Sequence, residues 1–114
     1  MVTVKTFRRI CLAQPEVQEV VHSEHPAFRT KRKIFTTLRE KEKRANFHFT
    51  PEEQAAFCQA DGESFFPVEG GWGRLGWTTV DLKKVDEEML TNAIRSAWYN
   101  AAPPKLQAAY RDTI

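Results

Sequence analysis

The chain has 114 residues, 41% of them hydrophobic and 28% charged, with 17 Lys and Arg against 15 Asp and Glu for a formal net charge of +2. These values describe one globular domain over residues 1–114 with a modest core, and they argue against disordered and membrane classes. No apolar run approaches the roughly 18 residues of a membrane-spanning helix, and residues 1–9 lack a secretory apolar stretch, so a cytoplasmic protein is expected.

Thr3 is placed to cap a first helix running to about Ala13, with Val4, Phe7, Ile10 and Cys11 on one apolar face and Pro15 stopping it. Residues 17–49 change period. Residues 17–22 read as a first strand, His25-Pro26 as a break, and residues 27–30 as the start of a second strand. Lys31-Arg32-Lys33 reads as a tight charged turn. Residues 34–39 form a third strand, with Ile34, Thr36 and Leu38 on one face and Phe35 on the other. Residues 40–43 are a solvated turn, and residues 45–49 a fourth strand with Phe47 and Phe49 inward. The pattern is an antiparallel meander.

Thr50-Pro51-Glu52-Glu53 is the clearest local signal: an N-cap threonine, proline at the first helical position and a glutamate that completes a capping box. The second helix runs through Ala60 and ends at Asp61-Gly62, read as a glycine stop. Residues 65–68 lead into a glycine turn at residues 70–76, and Trp77-Thr78-Thr79-Val80 is a strand ended by Asp81. After Val85-Asp86-Glu87-Glu88, whose acids suit a helix N-terminus, Leu90, Ala93, Ile94, Ala97, Trp98 and Ala101 make a core-facing stripe. Pro103-Pro104 breaks that helix, and residues 105–111 add a short terminal one. The expected order is α-β-β-β-β-α-β-α, an α+β fold with helices covering one face of an antiparallel sheet.

Charge is unevenly spread. Residues 29–44 hold Arg29, Lys31, Arg32, Lys33, Arg39, Lys41, Lys43 and Arg44 against Glu40 and Glu42. The sum of +2 does not imply a nucleic-acid partner by itself. Its distribution does offer one: a basic hairpin tip at 29–33 and a second turn carrying Arg74 are suited to gripping duplex phosphates from two sides, with Trp72 free to stack on a base or line a groove. The plainer alternative is a solvated tip, with the tryptophans packed on the long helix near the C-terminus. Trp77, Trp98 and Phe28 are expected in the core.

Other chemistries find little support. Residues 71–76 spell G-x-G-x-x-G, but a strand follows where a dinucleotide site needs a helix, and a meander precedes it. His22, His25 and His48 fit no common zinc spacing, and His25 is given a structural role at the loop before the second strand. Ser23, Ser64 and Ser96 sit in no nucleophile elbow. Cys11 and Cys58 lack CxxC spacing and read as reduced thiols. No enzyme activity, cofactor or metal is expected.

The ordered series Leu12-Ala13-Gln14-Pro15-Glu16-Val17, His25-Pro26-Ala27-Phe28-Arg29, Lys33-Ile34-Phe35, Thr50-Pro51-Glu52-Glu53-Gln54-Ala55, Gly71-Trp72-Gly73-Arg74-Leu75-Gly76-Trp77-Thr78, Val80-Asp81-Leu82 and Ala97-Trp98 resembles the MmcQ/YjbR family of small bacterial proteins. The resemblance implies a CyaY-like (frataxin-like) fold and DNA binding through a double-wing arrangement. Frataxins bind iron through an acidic helix ridge. The first helix here carries Lys5, Arg8 and Arg9 instead, so iron binding is not carried over. The resulting expectation is a monomeric, non-enzymatic DNA-binding protein with Arg29, Lys31, Arg32 and Lys33 on one wing and Trp72 and Arg74 on the other. The alternative is a protein–protein interaction module using the Trp72 and glycine-turn surface.

Overall fold

The computed structural model describes residues 1–113. In chain order the elements are α1 (Val4–Ala13), β1 (Gln18–His22), β2 (His25–Arg29), β3 (Ile34–Arg39), β4 (Arg44–His48), α2 (Pro51–Ala60), β5 (Phe65–Pro67), α3 (Gly71–Arg74), β6 (Trp77–Asp81), α4 (Glu87–Ala101) and α5 (Pro104–Thr113). This is an α+β fold with five helices and a six-stranded antiparallel sheet of order β1-β2-β3-β4-β6-β5.

Local chemistry accounts for most helix boundaries. The Thr3 side chain accepts from the Thr6 N–H at 3.1 Å to open α1, and Asp86 accepts from Met89 at 2.7 Å to open α4. At α2 the capping box is complete: Thr50 Oγ1 accepts from Glu53 N at 3.1 Å while Glu53 Oε1 accepts from Thr50 N at 2.9 Å. The C-terminus of α2 differs from expectation. Asp61, at φ −151, is the C-cap, and its carboxylate accepts from Ser64 N at 3.2 Å. Gly62 supplies no left-handed stop.

The expected order also lacked elements. Residues 65–67 form the edge strand β5, and the glycine turn contains the single-turn helix α3. The break placed at His25-Pro26 lies earlier, at Ser23 and Glu24, whose φ values of 50° and 69° make the β1–β2 turn. Pro26 is tolerated in β2 because pairing with β3 begins only at Ala27.

The core lies between the sheet and the helices α1, α2 and α4. Phe28, Thr36, Phe47 and Thr78 lie in one cross-strand row and Leu38, Ala45, Val80 and Phe65 in another, all buried. Phe7 on α1 meets Phe28 edge-on and Phe47 at a tilt, and the α4 stripe from Leu90 to Ala101 is buried as its spacing required. Phe35 corrects the expected facing: β3 carries one extra residue where Arg29 pairs with Ile34 and Phe28 with Thr36, and this bulge lets Phe35 join the core. Trp98 and Phe28 are fully buried, as expected. Trp77 is half-buried and belongs to the other face.

Candidate nucleic-acid interface

The register fixes which ends and faces meet. Arg29 pairs with Ile34, Thr36 with Phe47, and His48 with Trp77, so β2 and β4 end where β3 and β6 begin. The basic turn between β2 and β3 and the glycine segment between β5 and β6 therefore project from the same end of the sheet. In the order β1-β2-β3-β4-β6-β5 they stand three strand spacings apart, roughly 14 Å.

The first turn is anchored. Thr30, buried, donates from Oγ1 to the Ala101 carbonyl at 2.7 Å and accepts from Arg32 N at 3.1 Å. The Arg32 guanidinium donates to the Ala102 carbonyl at 3.2 Å, and Arg29 Nε to the Thr30 carbonyl at 3.0 Å. Carbonyls left open at the end of α4 thus hold the hairpin tip. These bonds use part of each guanidinium, and Arg32 stays exposed. Lys31 is an open cation of the turn, its side chain 81% exposed and 3.7 Å from Glu16. At that exposure the pair contributes little and leaves the ammonium available. Lys33 is half-buried, and its charge is felt at His48.

The second turn is both a buried corner and an exposed tip. A Cβ on Gly73 would lie 1.8 Å from the Val68 carbonyl oxygen, and one on Gly76, at φ +103, would lie 2.0 Å from that of Phe49. These glycines let α3 press on neighbouring main chain. Their spacing answers a packing need. Gln54 of α2 clamps the same segment, donating from Nε2 to the Gly73 carbonyl at 2.9 Å and to that of Trp77 at 3.1 Å. Held this way, α3 exposes Trp72 (62%), Leu75 (63%) and Arg74. Arg74 makes no ion pair among the described residues.

Trp77 stacks on His48 with centroids 4.8 Å apart and planes 8° from parallel, and Trp72 meets Trp77 edge-on at 6.2 Å. Burial lowers the His48 pKa below 6.5, and the Lys33 charge lowers it further, against a hydrogen bond with Leu75 that raises it. The net shift favours the neutral imidazole, the form that stacks on Trp77 as an uncharged ring.

The YjbR family pattern matches residues 12–100. The chain belongs to the YjbR family. Two solved structures share the fold of this YjbR-family chain. One is a crystal structure of the Deinococcus radiodurans protein DR2400, described by a DUF419 domain, at 23% identity and TM-score 0.72, covering 88% of this chain and 78% of that one. The other, a structural-genomics target from Pseudomonas syringae, is 13% identical with a TM-score of 0.68, covering 88% of this chain and 99% of that one. No curated protein matches the chain.

In this YjbR chain the residues singled out from sequence come to one end of the sheet, and several partners had been missed. Thr30 and Gln54 gave no sequence signal, because their role is to hold loops distant in the chain. Arg44, Asn46 and His48 were legible in principle: if Ala45 and Phe47 point inward, their neighbours point out. Elsewhere, His22 pairs with His25 in the β1–β2 hairpin while His48 lies on β4, and the described residues bring no three His, Cys, Asp or Glu groups together as metal ligands. Cys11 and Cys58 are free, and burial raises both thiol pKa values, for Cys11 well above 9.0. Thiols so shifted carry little thiolate for chemistry.

Proposed function

We propose that this protein is a non-enzymatic DNA-binding protein that holds duplex phosphates at the end of its sheet. Lys31, Lys33 and Arg74 are the principal contacts, with the remaining N–H groups of Arg29 and Arg32 beside them. The observation that carries the reading is the shared end: two cation-bearing turns project together about 14 Å apart, a spacing comparable to the roughly 12 Å major groove. Both are rigidly held, one by Thr30 on α4 and one by Gln54 on α2, so little ordering entropy opposes binding. Contacts to phosphate give affinity with little sequence choice. We read the fold as CyaY-like and the protein as a cytoplasmic monomer, its two free thiols suiting a reducing compartment.

The test is anisotropy of a labelled duplex titrated at about 50 and about 200 mM salt. Three phosphate contacts give a salt slope near −2.7, which weakens binding roughly 40-fold over that range. No binding at the lower salt would overturn the reading. One observation favours a second: exposed Trp72 and Leu75 make an apolar tip suited to a protein partner, and association there would persist at the higher salt.

A further inference from the structure

The sheet face opposite the main helices carries a second set of groups. One cross-strand row reads Val20, Ala27, Thr37, Asn46, Thr79 and Phe66 across all six strands. On one side of it His48 pairs with Trp77, and on the other Arg39 pairs with Arg44. The Arg44 guanidinium lies 5.4 Å from the Phe66 ring centroid. Arg39 is exposed and makes no ion pair among the described residues. Arg39, Asn46, Val68, Trp72 and Trp77 line a shallow groove of about 240 Å³.

Three features of this groove specify an occupant. The Trp72 and Trp77 rings are in edge-to-face contact, 6.2 Å apart at 82°, and form an aromatic corner on which the exposed Trp72 offers a face for a planar group to stack. Asn46 accepts from Thr79 Oγ1 at 2.7 Å through Oδ1, and its amide nitrogen has no partner among the described residues. Two N–H donors therefore remain for the edge of a planar polar group. Finally, the charge is one-sided: Arg39 and Arg44 frame the row, while Asp81, paired with Arg44, is buried and accepts from Lys83 N at 2.9 Å. No carboxylate lines the groove of Trp72 and Trp77 among the described residues; Arg39 also borders a second groove with Glu24, Glu40 and Glu42 but makes no ion pair with them.

An exposed ring face, free amide donors and guanidinium groups without ion pairs match a planar base attached to a phosphate. Duplex bases are stacked and paired, so their faces cannot lie on these rings. We infer that this sheet face binds single-stranded DNA, with an unpaired base against Trp72 and Trp77, its edge at Asn46, and strand phosphates at Arg39 and Arg44. The inference extends the proposed DNA binding to a second surface. Trp72 lies where the two surfaces join, so an overhang leaving a duplex held at the turns reaches the groove directly.

The test uses the full chain and three labelled probes: a ten-nucleotide thymidine strand, a blunt duplex, and an RNA strand matching the first. Base stacking quenches tryptophan fluorescence, and Trp98, fully buried, supplies an unquenched background. The inference expects saturable quenching by the DNA strand and a loss of affinity of about fivefold or more in Trp72→Ala, the effect of removing one stacked base. Arg39→Ala weakens the strand several-fold and leaves the blunt duplex unchanged, whereas Lys31→Ala does the reverse. Both arginine and lysine sites are exposed, so both variants fold. Absence of quenching, an Arg39→Ala variant that binds the strand like the parent, or tighter binding of RNA overturns the inference. Strand binding without duplex binding sustains it while defeating the duplex reading.

Discussion

Gly73 and Gly76 determine how the exposed tip is held. Each lies where a side chain would strike a main-chain carbonyl, and Gly76 also has a left-handed φ. Gly73→Ala and Gly76→Ala are each expected to cost about 2 kcal/mol or more, from overpacking and, at Gly76, backbone strain. Gly71→Ala meets nothing within 4 Å and is expected to be neutral or slightly stabilising. Urea midpoints measure all three, and a Gly73→Ala protein as stable as the parent would contradict this packing. His48 gives a pH signature. Its folded pKa lies below the unfolded value near 6.5, so the unfolded chain binds more protons between the two. Stability is therefore full above about 6.5 and falls as pH drops through that value toward the folded pKa. His48→Gln should flatten the dependence of Tm on pH between about 7 and 5. An unchanged slope would show that the stacked imidazole does not carry it. On α1, the Arg8 guanidinium spans Glu19 at 3.3 Å and Glu40 at 3.0 Å, and holds the Glu40 carboxyl below its ordinary range. The turn at residues 40–43, read from sequence as merely solvated, is thereby tied to the first helix.

At the scale of elements, α2 is the strut of the candidate site. It buries none of its residues completely, and Phe57 fixes it to the sheet by stacking on Phe49 at 4.9 Å and tilting against Phe65 at 5.1 Å. Its start does more. Glu53 Oε1 accepts from Thr50 N and from Asn100 Nδ2 at 2.6 Å, joining the cap to α4, while Gln54 holds α3. Glu53→Ala removes both bonds and is expected to cost about 1–2 kcal/mol, read as a lower urea midpoint with an unchanged m-value. A change below about 0.3 kcal/mol would leave the cap without that role. Elements with a strong local signal were legible from sequence. The cap at Thr50, the stripe of α4 and the meander all follow from spacing that burial enforces. β5 was not, because three residues containing a proline carry no period and pair only through their neighbour β6. The helical turn of α3 was hidden by glycines, whose propensity argues against helix, and tertiary packing on Val68 and Phe49 overrides it. The same reason hid the open-face site: Asn46, Trp77 and Arg39 meet only once three strands are in register.

For the whole molecule, arrangement outweighs total charge. A formal charge of +2 is small, yet the sheet brings the cations of residues 29–33 to the end that carries Arg74. Many acidic groups lie elsewhere, in the helix starts at Glu52, Glu53, Glu87 and Glu88 and in the pairs of Arg8, while Glu16 faces Lys31 and exposed Glu69 precedes the glycine turn. The Cα radius of gyration, 13.1 Å, is that of a closely packed chain of this length, and both turns rise from the same six-stranded sheet. The most direct test is the salt slope of duplex binding for the parent beside Lys31→Ala and Arg74→Ala, each an exposed cation on a different turn. If both turns touch phosphates, each substitution reduces the slope by about one unit and weakens binding at low salt, and the double variant loses about two. A slope unchanged in either variant would contradict a duplex held by both turns at once.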